Sequence, residues 1–192
     1  MATKEGRIKE ALTVLRSLGM PKAQQNDRSA LSLMAILNLS PNKVWADASN
    51  PLMGITPIMD WIRANYKKSY APNTRETIRR QTMHQFVEAG IALYNPDQPG
   101  RSVNSPHAVY QIEPQCLELL RKVGTGSFSA GLDRYLQRRE TLTAKYAKNR
   151  EMKMVPLKIG GKKVAALSPG KHSELIRDIT KKFGPQIGRA SC

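Results

Sequence analysis

The chain has 192 residues, 40% of them hydrophobic, and its 31 Lys+Arg against 15 Asp+Glu give a formal net charge of +16. This length holds one domain, or one domain and part of a second, and the apolar share can build a core, which excludes a disordered basic tail. So large a basic excess on a foldable chain favours a polyanionic partner, nucleic acid first and an anionic membrane surface second. Cys116 among leucines and Cys192 at the end form neither a disulfide framework nor a metal-ligand spacing, which fits a reducing cytoplasm. Lys4, Glu5, Arg7, Lys9 and Glu10 leave no signal-peptide core. No apolar run approaches the roughly 18 residues of a membrane span.

Ile8, Ala11, Leu12, Leu15 and Leu18 recur at helical spacing, and Gly19 with Pro21 stops the run. Asp27 is placed to cap a second helix carrying Leu31, Met34, Ala35 and Leu37. Ser40 to Pro51 reads as a loop anchored by Trp45. Thr56-Pro57 is expected to start a third helix, to about Asn65, because Pro at the first helical position loses no needed hydrogen bond. After Lys67-Lys68-Ser69, Asn73 or Thr74 is expected to cap a helix to Ala89, with Gly90 as its stop. Ile91 to Tyr94 and Ala108 to Ile112 read as strands joined by the polar loop Asn95 to His107.

A short helix from Pro114 to about Val123 follows, then a hinge at Gly124-Thr125-Gly126. From Phe128 a long basic helix carries Leu132, Tyr135, Leu136, Leu142 and Tyr146 on one face. Met154 to Ile159 and Lys163 to Leu167 read as a hairpin around Gly160-Gly161. Ser168 begins a last helix through Leu175, Ile176 and Ile179, ending near Gly184-Pro185. The expected class is mainly α (α+β). A winged helix-turn-helix-like domain covers 1–125, a basic connector helix 126–150, and a hairpin with a helix 151–192.

With about 100° between residues, Ile78, Thr82, Phe86 and Ala89 share one side of the 74–89 helix, Met83 at the edge. Thr77, Arg80, Gln81 and His84 fall on the far side, with Thr74 at the first turn. An Arg can donate two bonds to guanine and a Gln can pair both ways with adenine, so these types suit a major groove. Arg75 and Arg79 flank that face and suit phosphate, which a helix N-terminus also attracts. The order helix, helix, basic helix, hairpin is that of a winged helix-turn-helix and makes double-stranded DNA the expected partner. Against it stands an ordinary solvated basic helix, and Tyr66 to Asn73 is longer than the usual turn of about 3–4 residues.

Arg101, Asn104 and His107 lie in the loop between the strands, where a wing reaches backbone or minor groove and where a mobile surface loop fits equally. Arg134, Arg138, Arg139, Lys145, Lys148 and Arg150 make the long helix basic, either to line DNA or as a solvated connector. A magnesium nuclease needs clustered carboxylates beside a lysine. Asp97 sits in a Pro-rich loop and Glu151, near Lys153, at the end of a basic helix, which is a poor placement for that pair. His84, His107 and His172 are too scattered for zinc, and Gly170-Lys171-His172 lacks the upstream glycine and the hydroxyl of a phosphate-binding loop. Glu174, early in the last helix, is the one acidic residue kept as a catalytic candidate, against the reading of a helix-dipole carboxylate.

The segments DASNPLMGITPIMDWI, YAPNTRETIRRQTMHQFVEAGI, NPDQPGRSVNSPHAVYQIEP, RRETLTAKYAKNREM and LSPGKHSELI occur in that order. From about Ile8 to Pro185 the chain thereby resembles the BsuBI/PstI type II restriction endonucleases. The resemblance implies an N-terminal helix-turn-helix DNA-binding domain followed by a magnesium-dependent nuclease domain, with CTGCAG as target. It also implies a cognate DNA methyltransferase as functional counterpart, and a palindromic target makes a homodimer the expected assembly. The family's catalytic aspartate and Glu-x-Lys type motif lie beyond the quoted segments, and Gly188 to Cys192 depart from the family. The expectation is therefore DNA binding without cleavage for these 192 residues, magnesium only for a longer protein, and residues 151–192 as the start of the nuclease domain. By resemblance Glu174 in SELI borders such an active site. Two alternatives stand beside this: a stand-alone winged-helix transcriptional or controller protein, and a small nuclease using Asp97, Glu151 and Lys153.

Overall fold

A computed structural model describes residues 3–102, 105–151, 155–159, 162–167, 174–179 and 181, with the backbone alone for 140–151, 155–159 and 162–167. Asn104, the Gly160-Gly161 turn, the Gly184-Pro185 helix end and Cys192 lie outside the described residues, as do the side chains of Leu142, Tyr146 and Glu151. The chain divides into two compact units, Met1–Pro96 with Val109–Ala144, and Asp97–Ala108 with Lys145–Cys192.

In the first unit, α1 (Lys4–Ser17) starts where the Thr3 hydroxyl accepts from the Gly6 amide at 3.0 Å. The next helix, α2 (Asp27–Ile36), has every residue from Ser29 to Ile36 buried, which makes it the central helix of the core. Its cap is Asn26, whose side chain accepts from the Ser29 amide at 3.0 Å, rather than the expected Asp27. Both residue types can cap; Asn26 holds the extended backbone the cap requires, while Asp27 is already helical and serves the dipole.

Helix α3 (Ile55–Tyr66) begins two residues before the expected Thr56-Pro57 start. Pro57 stands at the third position, where a backbone amide still has no partner within the helix, so the ring costs nothing there. The next helix is continuous over 74–88 as α4 (Thr74–Ile78), a π turn (Arg79–Met83) and α5 (His84–Glu88). Asn73 precedes it without making a side-chain cap. The Thr74 and Arg75 amides are met instead by the carbonyls of Ala71 and Pro72 at 2.9 and 3.1 Å, which turns the chain before Asn73 and leaves that residue helical.

Three helices end alike. The Met20, Leu39 and Ile91 amides reach back to the Leu15, Met34 and Phe86 carbonyls at 3.1, 2.9 and 2.8 Å. The motif demands a left-handed residue just past the helix, and Gly19, Asn38 and Gly90 supply it with φ of 72°, 49° and 71°.

β1 (Ala92–Tyr94) and β2 (Tyr110–Ile112) pair antiparallel, Ala92 opposite Ile112 and Tyr94 opposite Tyr110. They are shorter than expected. Asn95, left-handed at φ 47°, closes the loop base with its side-chain oxygen accepting from the Val109 amide at 2.9 Å. Met53 adds a single-residue bridge on the other side of Tyr110, with bonds of 2.9 and 2.8 Å in the two directions.

α6 (Pro114–Leu120) is capped by the Glu113 carboxylate, 2.7 Å from the Cys116 amide. It stops at Leu120, ahead of the expected Val123. The core gathers Leu15, Leu33, Ile36, Ile58, Ile62, Ile78, Phe86 and Tyr110, all fully buried. Trp45 anchors its loop as expected, donating to Glu10 at 2.9 Å, while the buried Arg7 joins Glu10 at 2.6 Å and the Lys43 carbonyl at 2.5 Å.

α7 (Phe128–Glu151) docks through its first half. The Tyr135 hydroxyl donates to the Gly90 carbonyl at 3.0 Å and Arg139 to the Leu18 carbonyl at 2.6 Å. These bonds fasten the first half of α7 to the end of the 74–88 helix and to the end of α1.

In the second unit, Arg101 pairs with Asp97, and β3 (Val155–Ile159) runs antiparallel to β4 (Lys162–Leu167) with a register shift between Leu157 and Lys158. Residues 174–179 are helical.

Candidate nucleic-acid interface

The strongest candidate surface is the 74–88 helix. Its inner stripe is Ile78, Thr82, Met83 and Phe86, each fully buried. A uniform α-helix leaves Met83 at the margin of that stripe. The π turn draws it in, because the His84 amide bonds to the Arg79 carbonyl, five residues back. Such a turn takes about 4.4 residues instead of 3.6, so each residue advances by roughly 85°. Residues four apart then fall nearly in line along the axis. Glu76, Arg80 and His84 form one outward row, and Thr77, Gln81 and Gln85 a second. Arg75, Glu76, Arg80 and Gln81 are exposed, while Thr74, Thr77, Arg79, His84 and Gln85 are half-buried.

Glu76 organises the first row. Arg79 donates to it through Nε and Nη2 at 2.8 and 2.6 Å, and Arg80 donates through Nε. The bonds from Arg79, then those from Arg80, hold the Glu76 carboxyl down at about 2. The remaining Arg79 Nη1 lies 3.4 Å from His84 Nε2. The expected phosphate ligand Arg79 is thus enclosed between Glu76 and His84, with 25% of its side chain exposed. His84 meets Tyr94 edge-on at 6.2 Å, and Tyr94 packs on Tyr110 at 5.3 Å. From α2, Arg28 donates to the Thr82 hydroxyl at 3.2 Å and stands 3.5 Å from the Gln81 side-chain oxygen.

The other candidates have surroundings of their own. Arg101 donates to both Asp97 oxygens, at 3.1 and 2.6 Å, and its side chain is 14% exposed. The same bonds lower the Asp97 carboxyl, so this carboxylate serves an ion pair. His107 is exposed. Arg138 is exposed in an open groove beside Glu118, Lys122 and Arg134. Arg139, expected on a DNA-facing surface, turns to the end of α1. Glu174 is exposed.

Among the described residues no three His, Cys, Asp or Glu side chains come together to hold a metal ion, so the implied magnesium finds no fitting ligand set there. Among the same residues no helix is long and apolar enough to cross a membrane.

Glu76, Gln85 and Arg28 were not singled out from the sequence. A Glu three and four residues before two arginines was a legible signal. The approach of Arg28 depends on the fold and left no local trace.

A sequence model described as the BsuBI/PstI restriction endonuclease HTH domain matches residues 5–144. The type II restriction enzyme BsuBI of Bacillus subtilis is 54% identical over 179 residues, covering 93% of this chain and 57% of that protein. The type II restriction enzyme AplI of Arthrospira platensis is 35% identical over 174 residues, covering 91% of this chain and 53% of that protein. Among solved structures, that of SdaI restriction endonuclease superposes with a TM-score of 0.67 at 30% identity, covering 93% of this chain and 56% of the other. The chain thus spans a little over half the length of these relatives. With most of its length matched in this way, the chain belongs to the BsuBI/PstI restriction endonuclease family and carries that family's helix-turn-helix domain.

Proposed function

We propose that this chain is the DNA-reading part of a type II restriction endonuclease, directed to CTGCAG, and that cleavage with magnesium belongs to a longer protein. The observation that carries the reading is the exposure of Arg75, Glu76, Arg80 and Gln81 on a helix whose inner stripe is fully buried, which leaves two outward rows. A helix about 10–12 Å across fits a major groove about 12 Å wide, with such rows against the base edges. Arg80 suits guanine, Gln81 suits adenine, and Thr77 and His84 suit either neighbour. Thr74 and Arg75, at the helix start, suit phosphate. Arg138 suits flanking backbone, while Arg79 and Arg139 act as internal braces. The Met53–Tyr110 bridge supports the winged form, because a residue between α2 and α3 joins the two strands that follow the reading helix. In that form the loop carrying Arg101 and Asn104 is the wing. A homodimer on the palindrome, a cytoplasmic setting and a cognate methyltransferase complete the proposal.

The test titrates the 192-residue chain by fluorescence anisotropy against a CTGCAG duplex and a scrambled duplex at one fixed salt concentration. The expected result is tighter binding of the matched duplex and no cutting after magnesium is added. Equal affinities refute specific reading, and double-strand cleavage at CTGCAG refutes the division of labour.

A further inference from the structure

We propose that Glu76 is a specificity-determining positioning residue, which holds Arg80 by its Nε edge so that the Nη edge is presented to a guanine and withholds Arg79 from indiscriminate phosphate contact. The inference rests on the reading of the 74–88 helix as DNA-facing.

The geometry supports three steps. First, Glu76 stands on the outward side of the helix, and its carboxylate accepts from both arginines. A surface built only to hold phosphate gains nothing from a carboxylate, which repels the backbone and offsets the charge that releases counterions. Second, Arg80 uses Nε on Glu76 and its side chain remains 69% exposed, so its two Nη groups are left toward solvent. A guanidinium held on one edge loses less freedom when its other edge forms a bidentate pair with guanine O6 and N7. Third, Glu76 and Arg80 stand four residues apart on one helix, the spacing at which a carboxylate and a guanidinium meet on its surface. Arg79 has Nε and Nη2 on Glu76 and Nη1 facing His84, so it acts as the inner brace of the same carboxylate.

The test measures matched and scrambled duplex affinities for four forms of the full chain: wild type, Glu76→Gln, Arg80→Ala and the double variant. All positions are on an exposed row, and circular dichroism of each form checks folding. Glu76→Gln is expected to tighten scrambled binding, to steepen its log–log salt slope by up to about 0.9, and to lower the matched-to-scrambled ratio roughly tenfold. In the Arg80→Ala background the same change is expected to leave the ratio where Arg80→Ala put it. An unchanged ratio in Glu76→Gln overturns the proposal, leaving a plain surface ion pair. A further fall of the ratio in the Arg80→Ala background also overturns it, because Glu76 then reads a base directly. A wild-type chain with no preference for the matched duplex overturns the functional reading itself, an outcome visible before any variant is compared.

Discussion

Replacing Tyr135 by Phe isolates the fastening between α7 and the end of the reading helix. The ring is 4% exposed and its hydroxyl donates to the Gly90 carbonyl at 3.0 Å. Phe keeps the ring packing, so no cavity opens. What is lost is one partner of a buried carbonyl, which costs about 1–3 kcal/mol. The Cys116 thiol, buried beside the same hydroxyl, also loses that polar neighbour. At about 2–4 °C per kcal/mol for a protein of this size, Tm falls by roughly 2–12 °C. The assay is thermal unfolding followed by circular dichroism, with duplex binding measured well below the transition. Binding is expected to be unchanged, because Tyr135 stands on neither row of the reading helix. A Tm within about 1 °C of wild type refutes the fastening, since a buried bond of this kind cannot be lost so cheaply.

Alkaline pH provides a second test. Burial raises the Tyr66 phenol from 10.0 to about 12 and the Cys116 thiol from 9.0 to about 12. Both neutral forms are favoured by folding, so their stabilisation is complete below pH 9 and is lost as pH climbs from there to about 12. Urea midpoints should hold between pH 7 and 8.5 and fall steeply above 10; a flat midpoint to pH 11 contradicts the burial of both groups. Arg138→Ala is expected to weaken matched and scrambled duplexes alike and to flatten the salt slope by about 0.9 if one phosphate contact goes. An unchanged slope turns the exposed side of α7 away from DNA.

What was legible in the sequence was local. Gly90 marked the helix end because only a left-handed residue closes that turn, a demand written in one position. The buried stripe of Ile78, Thr82 and Phe86 followed from period alone. The capping error arose because Asn26 and Asp27 are neighbouring residues of equal capping chemistry, and backbone geometry chose between them. Met53 was illegible because a one-residue bridge has no alternation to display. The roles of Arg28, Tyr135 and Arg139 came from partners distant in sequence, which a linear reading counts only as charge or apolar surface. At the site itself, the types of Arg80 and Gln81 could be read, but not the carboxylate that organises one and the α2 arginine beside the other.

The π turn at Arg79–Met83 also bears on how this helix tolerates change in length. It stores one residue more than a regular helix needs to span the same rise. Losing one residue there would return the stretch to a regular α-helix; five residues at roughly 85° and four at about 100° differ by only about 25°, so the segments before and after it keep nearly the same faces. Ile78 and Phe86 would then stand seven positions apart, at about 700° of rotation, and so would stay on one face. A gap at this point in a relative is therefore compatible with the same buried stripe and the same outward side. It marks a helix that has given up the stored residue while keeping its facing.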